Sequence, residues 1–197
     1  MDVTHILEGL NDPQREAVSS SMSNSLILAG AGSGKTKVLV HRIAWLIEVE
    51  RVSPNGVLAV TFTNKAASEM RSRIEGLLNV SARSMWVGTF HGLAHRLLRM
   101  HWEEAGLPQN FQIIDADDQL RLIKRILKSL DLDEKRWPAR QASWFINEQK
   151  DEGRRSEQVE AGDDLFRITH KRIYEHYEEM CFSASLVDFA ELLLRSY

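Results

Sequence analysis

Between Ser25 and Thr36 an apolar run, Ser25-Leu26-Ile27-Leu28-Ala29, breaks into Gly30-Ala31-Gly32-Ser33-Gly34-Lys35-Thr36. Helical spacing resumes immediately afterwards, with Val38, Leu39, Ile43, Leu46 and Ile47 on one broad face. A buried strand that empties into a glycine-rich turn and then a helix is the local signature of a phosphate-binding loop. Three glycines at alternate positions let successive backbone N–H groups turn inward around phosphate oxygens, and the following helix adds the positive end of its dipole. In this pattern Lys35 reaches the β- and γ-phosphates and the Thr36 hydroxyl ligates Mg²⁺. Ala29 stands where the general motif has its first glycine. A dinucleotide fingerprint is excluded, because Lys35 occupies the place of its last glycine.

The surrounding pattern predicts an α/β unit. Asn11-Asp12-Pro13-Gln14 reads as a helix start, with Asp12 as cap and Pro13 at the first helical position. Strands are expected at Ser25–Ala29, Val57–Phe62 and Met85–Phe90, and helices at Lys35–Glu50 and Asn64–Leu78, an alternation that argues for a parallel sheet covered by helices. After residue 90 the spacing is helical almost throughout: His91–Ala105, a helix through Leu120, Ile123, Ile126, Leu127 and Leu130, then Pro138–Gln149 and Leu165–Met180. Phe111–Ile114 alone resembles a strand and is short. The expected organisation is therefore 1–90 α/β and 91–197 mainly helical. Charge is also uneven along the chain, as expected of two units with different surfaces: residues 1–100 carry 11 Lys/Arg against 8 Asp/Glu, and residues 101–197 carry 14 against 20.

A net charge of −3 does not advertise a nucleic-acid binder. No apolar stretch approaches membrane-spanning length and the first residues lack a basic signal-peptide start, so no membrane partner is expected. The single cysteine, Cys181, excludes an internal disulfide and fits a reducing, cytoplasmic setting.

Two further stretches carry polar chemistry at expected strand ends. In Thr61-Phe62-Thr63-Asn64-Lys65 the hydroxyls and amide suit phosphate oxygens, and Phe62 suits a stacked base. The bland alternative makes Thr63 or Asn64 a helix cap and Phe62 a core residue. Thr89-Phe90-His91 repeats the arrangement, where His91 is equally readable as a cap or packed residue. Side by side, two such strand ends can track a single-stranded backbone.

The motifs "LNDPQREAV" (10–18), "LAGAGSGKT" (28–36), "AVTFTNKAASEMRSRI" (59–74) and "VGTFHGLAHRLLR" (87–99) resemble, in order and spacing, those of UvrD/Rep/PcrA-type superfamily-one DNA helicases. The helical stretches "QIIDADDQLRLIKRILK", "INEQKDEG" and "LVDFAELLLR" are similar to the UvrD type in particular. The resemblance implies a partial RecA-like domain followed by a helical accessory domain, cut before its return to that domain. It also implies an ATP-dependent 3′-to-5′ helicase acting on single-stranded DNA and duplex junctions, with DNA-repair proteins as possible partners. By position, Gln14 would read adenine, and Ala29, Gly30, Ala31, Gly32, Ser33, Gly34, Lys35 and Thr36 would hold ATP and Mg²⁺. Thr61, Phe62, Thr63, Asn64, Thr89, Phe90 and His91 would line the DNA path, with Phe62 stacking on a base.

One element of that family has no counterpart here, an Asp-Glu pair that holds the metal and activates water. Asp115 closes an apolar run but precedes an amphipathic helix, which makes it a helix cap. Asp188 falls within the helical pattern Leu186-x-x-Phe189-x-x-Leu192-Leu193, which makes it a helix residue. Residues 1–197 are thus expected to be inactive alone. Two competing readings are a small-metabolite kinase, for which Arg154-Arg155 is the sole paired-arginine candidate, and a non-catalytic module that binds DNA or a protein partner.

Overall fold

The computed structural model describes residues 3–197. It is a mixed α/β chain with small parallel sheets, and it divides into two compact units, one ending at Leu93 and one running from Ala94 to Tyr197.

In the first unit, α1 (Thr4–Leu7) and α2 (Asp12–Ser19) precede the long helix α3 (Lys35–Glu48). Strand β1 (Leu58–Thr61), helix α4 (Asn64–Leu78) and strand β2 (Trp86–Thr89) follow. β1 and β2 pair in parallel, Leu58 against Trp86 through Thr61 against Thr89, so α4 is the crossover that a parallel pair requires. Thr63 starts α4 by accepting the Ala66 N–H through its hydroxyl at 3.1 Å, and Asn79 ends it in the left-handed region at φ 51°. The core beneath these elements is apolar: Ile6, Val18, Ile43, Ala44, Met70, Ile74, Met85 and Val87 are all buried.

Two arginines lock backbone ends into this core. Arg42 on α3 donates to the carbonyls of Val18 (2.8 Å), Ser20 (2.5 Å) and Ser21 (2.9 Å), capping the carboxyl end of α2 with a cation where the helix dipole favours one. Arg71 on α4 donates to Val87 O on β2 at 2.7 Å.

The expected strand at Ser25–Ala29 does not form. These residues have no regular secondary structure, and Leu26 and Leu28 are 82% and 85% exposed. A strand needs a neighbour to take its N–H and C=O groups, and among the described residues none pairs with this segment. The other two strands are shorter than their apolar runs by one residue at each end. Phe90 leaves the sheet to begin α5 (Phe90–Met100).

The second unit is built on α6 (Ala116–Ser129), α7 (Ala139–Asp151), α8 (Leu165–Ser183) and α9 (Phe189–Ser196). Ile123, Ile126, Leu127, Ile146, Ile173, Tyr174 and Tyr177 form its main core. Asp115 caps α6 by accepting the Asp118 N–H at 2.8 Å, as the sequence indicates. Strand β3 (Gln112–Ile113) pairs in parallel with β4 (Leu186–Val187). The latter corrects a sequence expectation: residues 186–187 are extended, and Asp188 is not a helix residue but the cap of α9, accepting the Glu191 N–H at 2.7 Å.

Candidate nucleotide site and strand-end platform

The glycine-rich loop is formed by backbone geometry that only glycine adopts cheaply. Gly32 sits at φ 76° and Gly34 at φ 85°, both in the left-handed region. Gly34 is the residue before α3 and supplies no side chain to the N–H groups of the helix's first turn. A virtual Cβ on Gly30 or Gly32 meets nothing within 4 Å, so the mouth of the loop is open. Ala29, Ala31, Ser33, Lys35 and Thr36 are exposed around it.

Internal bonds hold the loop. Ser33 donates its N–H (3.3 Å) and its hydroxyl (2.7 Å) to Gly30 O. The Lys35 ammonium folds back onto the same loop, donating to Ala29 O at 2.9 Å and Gly30 O at 2.6 Å. A carbonyl-rich, cation-filled loop of this kind is a ready exchange site: an anion offers the ammonium a stronger, charge-assisted partner than two peptide oxygens do.

Gln14, the expected adenine reader, lies against this loop. Asn11, not Asp12, is the cap of α2: its side chain accepts the Gln14 N–H at 3.0 Å, and its own N–H donates to Gln14 Oε1 at 3.2 Å. Asp12 and Pro13 are the first two helical residues. The Asn11-x-x-Gln14 spacing is itself the sequence signal for such a reciprocal box. Gln14 Nε2 then donates to Ser33 O at 3.0 Å.

The second set of expected site residues gathers at the carboxyl ends of β1 and β2. Because Thr61 registers with Thr89, the segments that follow leave neighbouring strands side by side. Phe62 is fully exposed at 102% and Phe90 is 66% exposed, which removes the core reading of Phe62. Asn64 and His91 are also exposed. The hydroxyls are partly committed: Thr61 donates to Thr63 O at 3.0 Å, Thr63 accepts from Ala66 N, and Thr89 accepts the Gly92 N–H at 3.1 Å. As acceptors, Thr63 and Thr89 keep their O–H groups for another oxygen, whereas the Thr61 proton is used. Capping and ligand contact are therefore compatible at Thr63 and Thr89.

Unit two holds a different polar centre. Lys150, 4% exposed, donates to Asp188 Oδ2 at 2.7 Å and lies 3.0 Å from Glu191 Oε2. Arg155 donates to Glu191 at 2.7 Å and to Glu178 at 3.2 Å, Arg195 donates to Glu191 at 2.6 Å, and the Tyr177 hydroxyl donates to Asp188 at 2.7 Å. Burial works against the charge of Glu191, yet Lys150 and Arg155 and the bonds from Arg155 and Arg195 outweigh it and hold the carboxyl at about 2. Burial likewise opposes the Lys150 charge, and Asp188 with Glu191 overcome it, so its value rises. The charged members of this network border a cavity of about 380 Å³ together with Leu107, Phe182 and Cys181. Three cations face three carboxylates there, each paired, which makes the centre a structural tie between helices. Burial pushes the Cys181 thiol up to about 11, the opposite of an activated nucleophile.

The arginine pair of the kinase reading is occupied in the same way. Arg154 pairs with Glu152 and donates to Gln149 at 3.2 Å, while Arg155 belongs to the Glu191 network. Asp115 and Asp188 are both helix caps. Among the described residues no group of three or more His, Cys, Asp or Glu is arranged to hold a metal ion, and no helix is long and apolar enough to cross a membrane.

Comparison with known proteins bears on the same residues. A family model described as UvrD/REP helicase N-terminal domain matches residues 10–197. DNA helicase II of Escherichia coli (strain K12) is 60% identical over 197 residues, covering 100% of this chain and 27% of that protein. ATP-dependent DNA helicase PcrA of Leuconostoc citreum is 43% identical over 196 residues, covering 98% of this chain and 26% of the relative. ATP-dependent DNA helicase UvrD1 of Mycobacterium bovis is 44% identical over 194 residues, 95% of this chain and 25% of the relative. The chain thus spans about a quarter of the length of the curated relatives it matches.

Proposed function

Since the chain belongs to the UvrD/REP helicase N-terminal domain family, we propose that it is the ATP-binding and strand-tracking portion of an ATP-driven DNA helicase. In this reading the first unit is the opening part of a RecA-like domain and the second a helical accessory domain. The observation that carries it is the open glycine-rich loop at the uncapped start of α3, with the Lys35 ammonium resting on its own carbonyls.

The residues present suit a nucleoside triphosphate with Mg²⁺. N–H groups of the loop and of the first turn of α3 donate to phosphate oxygens, and Lys35 leaves Ala29 O and Gly30 O to neutralise the β- and γ-phosphates. Thr36, exposed in that first turn, offers its hydroxyl to the metal, which would supply charge neutralisation of the phosphates. Gln14 reads adenine and so selects ATP. Thr61, Phe62, Thr63 and Asn64, with Thr89, Phe90 and His91, carry single-stranded DNA, the two phenylalanines giving faces on which bases stack whatever their sequence.

In the whole protein, closure over ATP between two RecA-like domains would step the strand 3′ to 5′ through this platform and split duplex DNA at a junction. DNA-repair proteins are the expected partners and the cytoplasm the expected setting. Within residues 1–197 the two carboxylates that sequence offers for water activation serve as helix caps. Binding without turnover is therefore the expected behaviour of this chain.

The test is titration of residues 1–197 with Mg·ATP, beside a steady-state ATPase assay with and without oligo-dT. Lys35→Ala removes a charge-assisted contact and weakens Mg·ATP about tenfold to a hundredfold. Equal affinity in wild type and variant refutes the loop assignment. DNA-stimulated hydrolysis that Lys35→Ala abolishes refutes the expectation of no turnover.

A further inference from the structure

We infer that Gln14 is a positioning residue for the phosphate loop itself, in addition to any contact it makes with a base. The inference rests on the nucleotide-site reading above and extends it from base selection to the shape of the phosphate cradle.

The orientation of the Gln14 amide is fixed by chemistry. Asn11 offers an N–H to one end and Ser33 offers a C=O to the other, so Oε1 must face Asn11 and Nε2 must face Ser33. The reciprocal bond from the Gln14 N–H to the Asn11 side chain holds the start of α2 rigid, and the side chain leaves it at a set angle. Nineteen residues further on, Ser33 O is caught at 3.0 Å.

That one bond determines more than a carbonyl. The peptide joining Ser33 to Gly34 is planar and trans, so pinning its oxygen pins the opposite direction of the Gly34 N–H. The same amide also closes the space beside Gly34: a Cβ built on it would lie 3.0 Å from Gln14 Nε2. Any other L-residue there meets both this contact and the strain of φ 85°. The corner just before Lys35, where the cradle passes into α3, is thus braced from outside by a side chain of α2.

The amide has capacity left for a base. Nε2 carries a second hydrogen and Oε1 a second lone pair, the complement of an acceptor and a donor on adenine. A single side chain can therefore join the base end of a nucleotide to the loop that holds its phosphates. A residue that reads the base alone predicts something different: its loss would erase the preference for ATP over GTP and leave a base-free triphosphate unaffected.

Gln14→Met keeps length, volume and helix propensity and removes both side-chain hydrogen bonds without adding charge. In residues 1–197 the expected result is that Mg·tripolyphosphate, which has no base to read, binds about three- to tenfold more weakly than to wild type, the loss of one hydrogen bond. The melting temperature falls by no more than a few degrees, since both lost bonds are solvent-exposed, and amide exchange across residues 30–36 of the nucleotide-free protein quickens by a similar factor. Unaltered tripolyphosphate affinity overturns the inference, whatever happens to the ATP-over-GTP ratio. If wild type binds neither ATP nor tripolyphosphate, the nucleotide-site reading fails on its own. The exchange rates then decide the bracing role, and unchanged exchange overturns it.

Discussion

Replacing Glu191 with Gln isolates the buried ionic tie of the second unit. Glu191 is 5% exposed and faces Lys150, Arg155 and Arg195, which hold its carboxyl at about 2 against an ordinary 4.5. The gap is worth about 3 kcal/mol at roughly 1.4 kcal/mol per unit. Because the folded value lies below the unfolded one, this stability is fully present above about pH 5 and is lost as pH falls through 4.5 towards 2. The raised value of Lys150 acts only at the alkaline end and does not enter this window. Glu191→Gln should therefore cost about 3 kcal/mol at pH 6, and the difference from wild type should shrink below about 1 kcal/mol at pH 2.5. Tyrosine absorbance during urea unfolding reads this unit selectively: of three tyrosines, Tyr174 and Tyr177 are fully buried in its core and Tyr197 is exposed. A difference that stays constant from pH 6 to 2.5, or is absent at pH 6, refutes the assignment of the charge network to Glu191.

Two further outcomes follow from exposure and burial. Phe62→Ala should leave the melting temperature unchanged, since the ring is fully exposed, while oligo-dT binds about fivefold to a hundredfold more weakly, the worth of one stacked base; fluorescence anisotropy at two salt concentrations measures it. Cys181, raised to about 11 by burial, should be about one part in a thousand thiolate at pH 8, so iodoacetamide labels it slowly in native protein and readily in urea.

How far the sequence carried can be judged from particular elements. Helix α4 was legible to the residue, because Thr63 is a cap whose hydroxyl has one obvious N–H to meet and Asn79 tolerates the left-handed turn that stops it. The loop and the start of α3 were legible for the same reason: glycine spacing dictates backbone geometry directly. Leu26-Ile27-Leu28 misled, since an apolar run records a tendency to be buried and says nothing about which neighbour supplies a ladder. β4 is two residues long, below what periodicity detects, although Asp188-x-x-Glu191 carried a visible capping pattern. The Gln14–Ser33 bond and the Lys150–Asp188–Glu191–Arg155 network join segments far apart in the chain, and no local pattern encodes such pairings. Of the candidate site, residue types were legible and their division of labour was not: that Thr61 spends its proton on Thr63 O while Thr63 and Thr89 keep theirs emerges only from geometry.

The central claim, one nucleotide loop and one strand-end platform in the first unit, is tested most directly by backbone amide chemical-shift mapping of residues 1–197 during titration with Mg·ATP and then oligo-dT. The account predicts ATP-dependent shifts at Gln14 and across Ala29–Thr36, and oligonucleotide-dependent shifts at Thr61–Asn64 and Thr89–His91. Shifts from either ligand centred instead on the Lys150, Asp188 and Glu191 cavity, or no shift at the loop with saturating Mg·ATP, would contradict it.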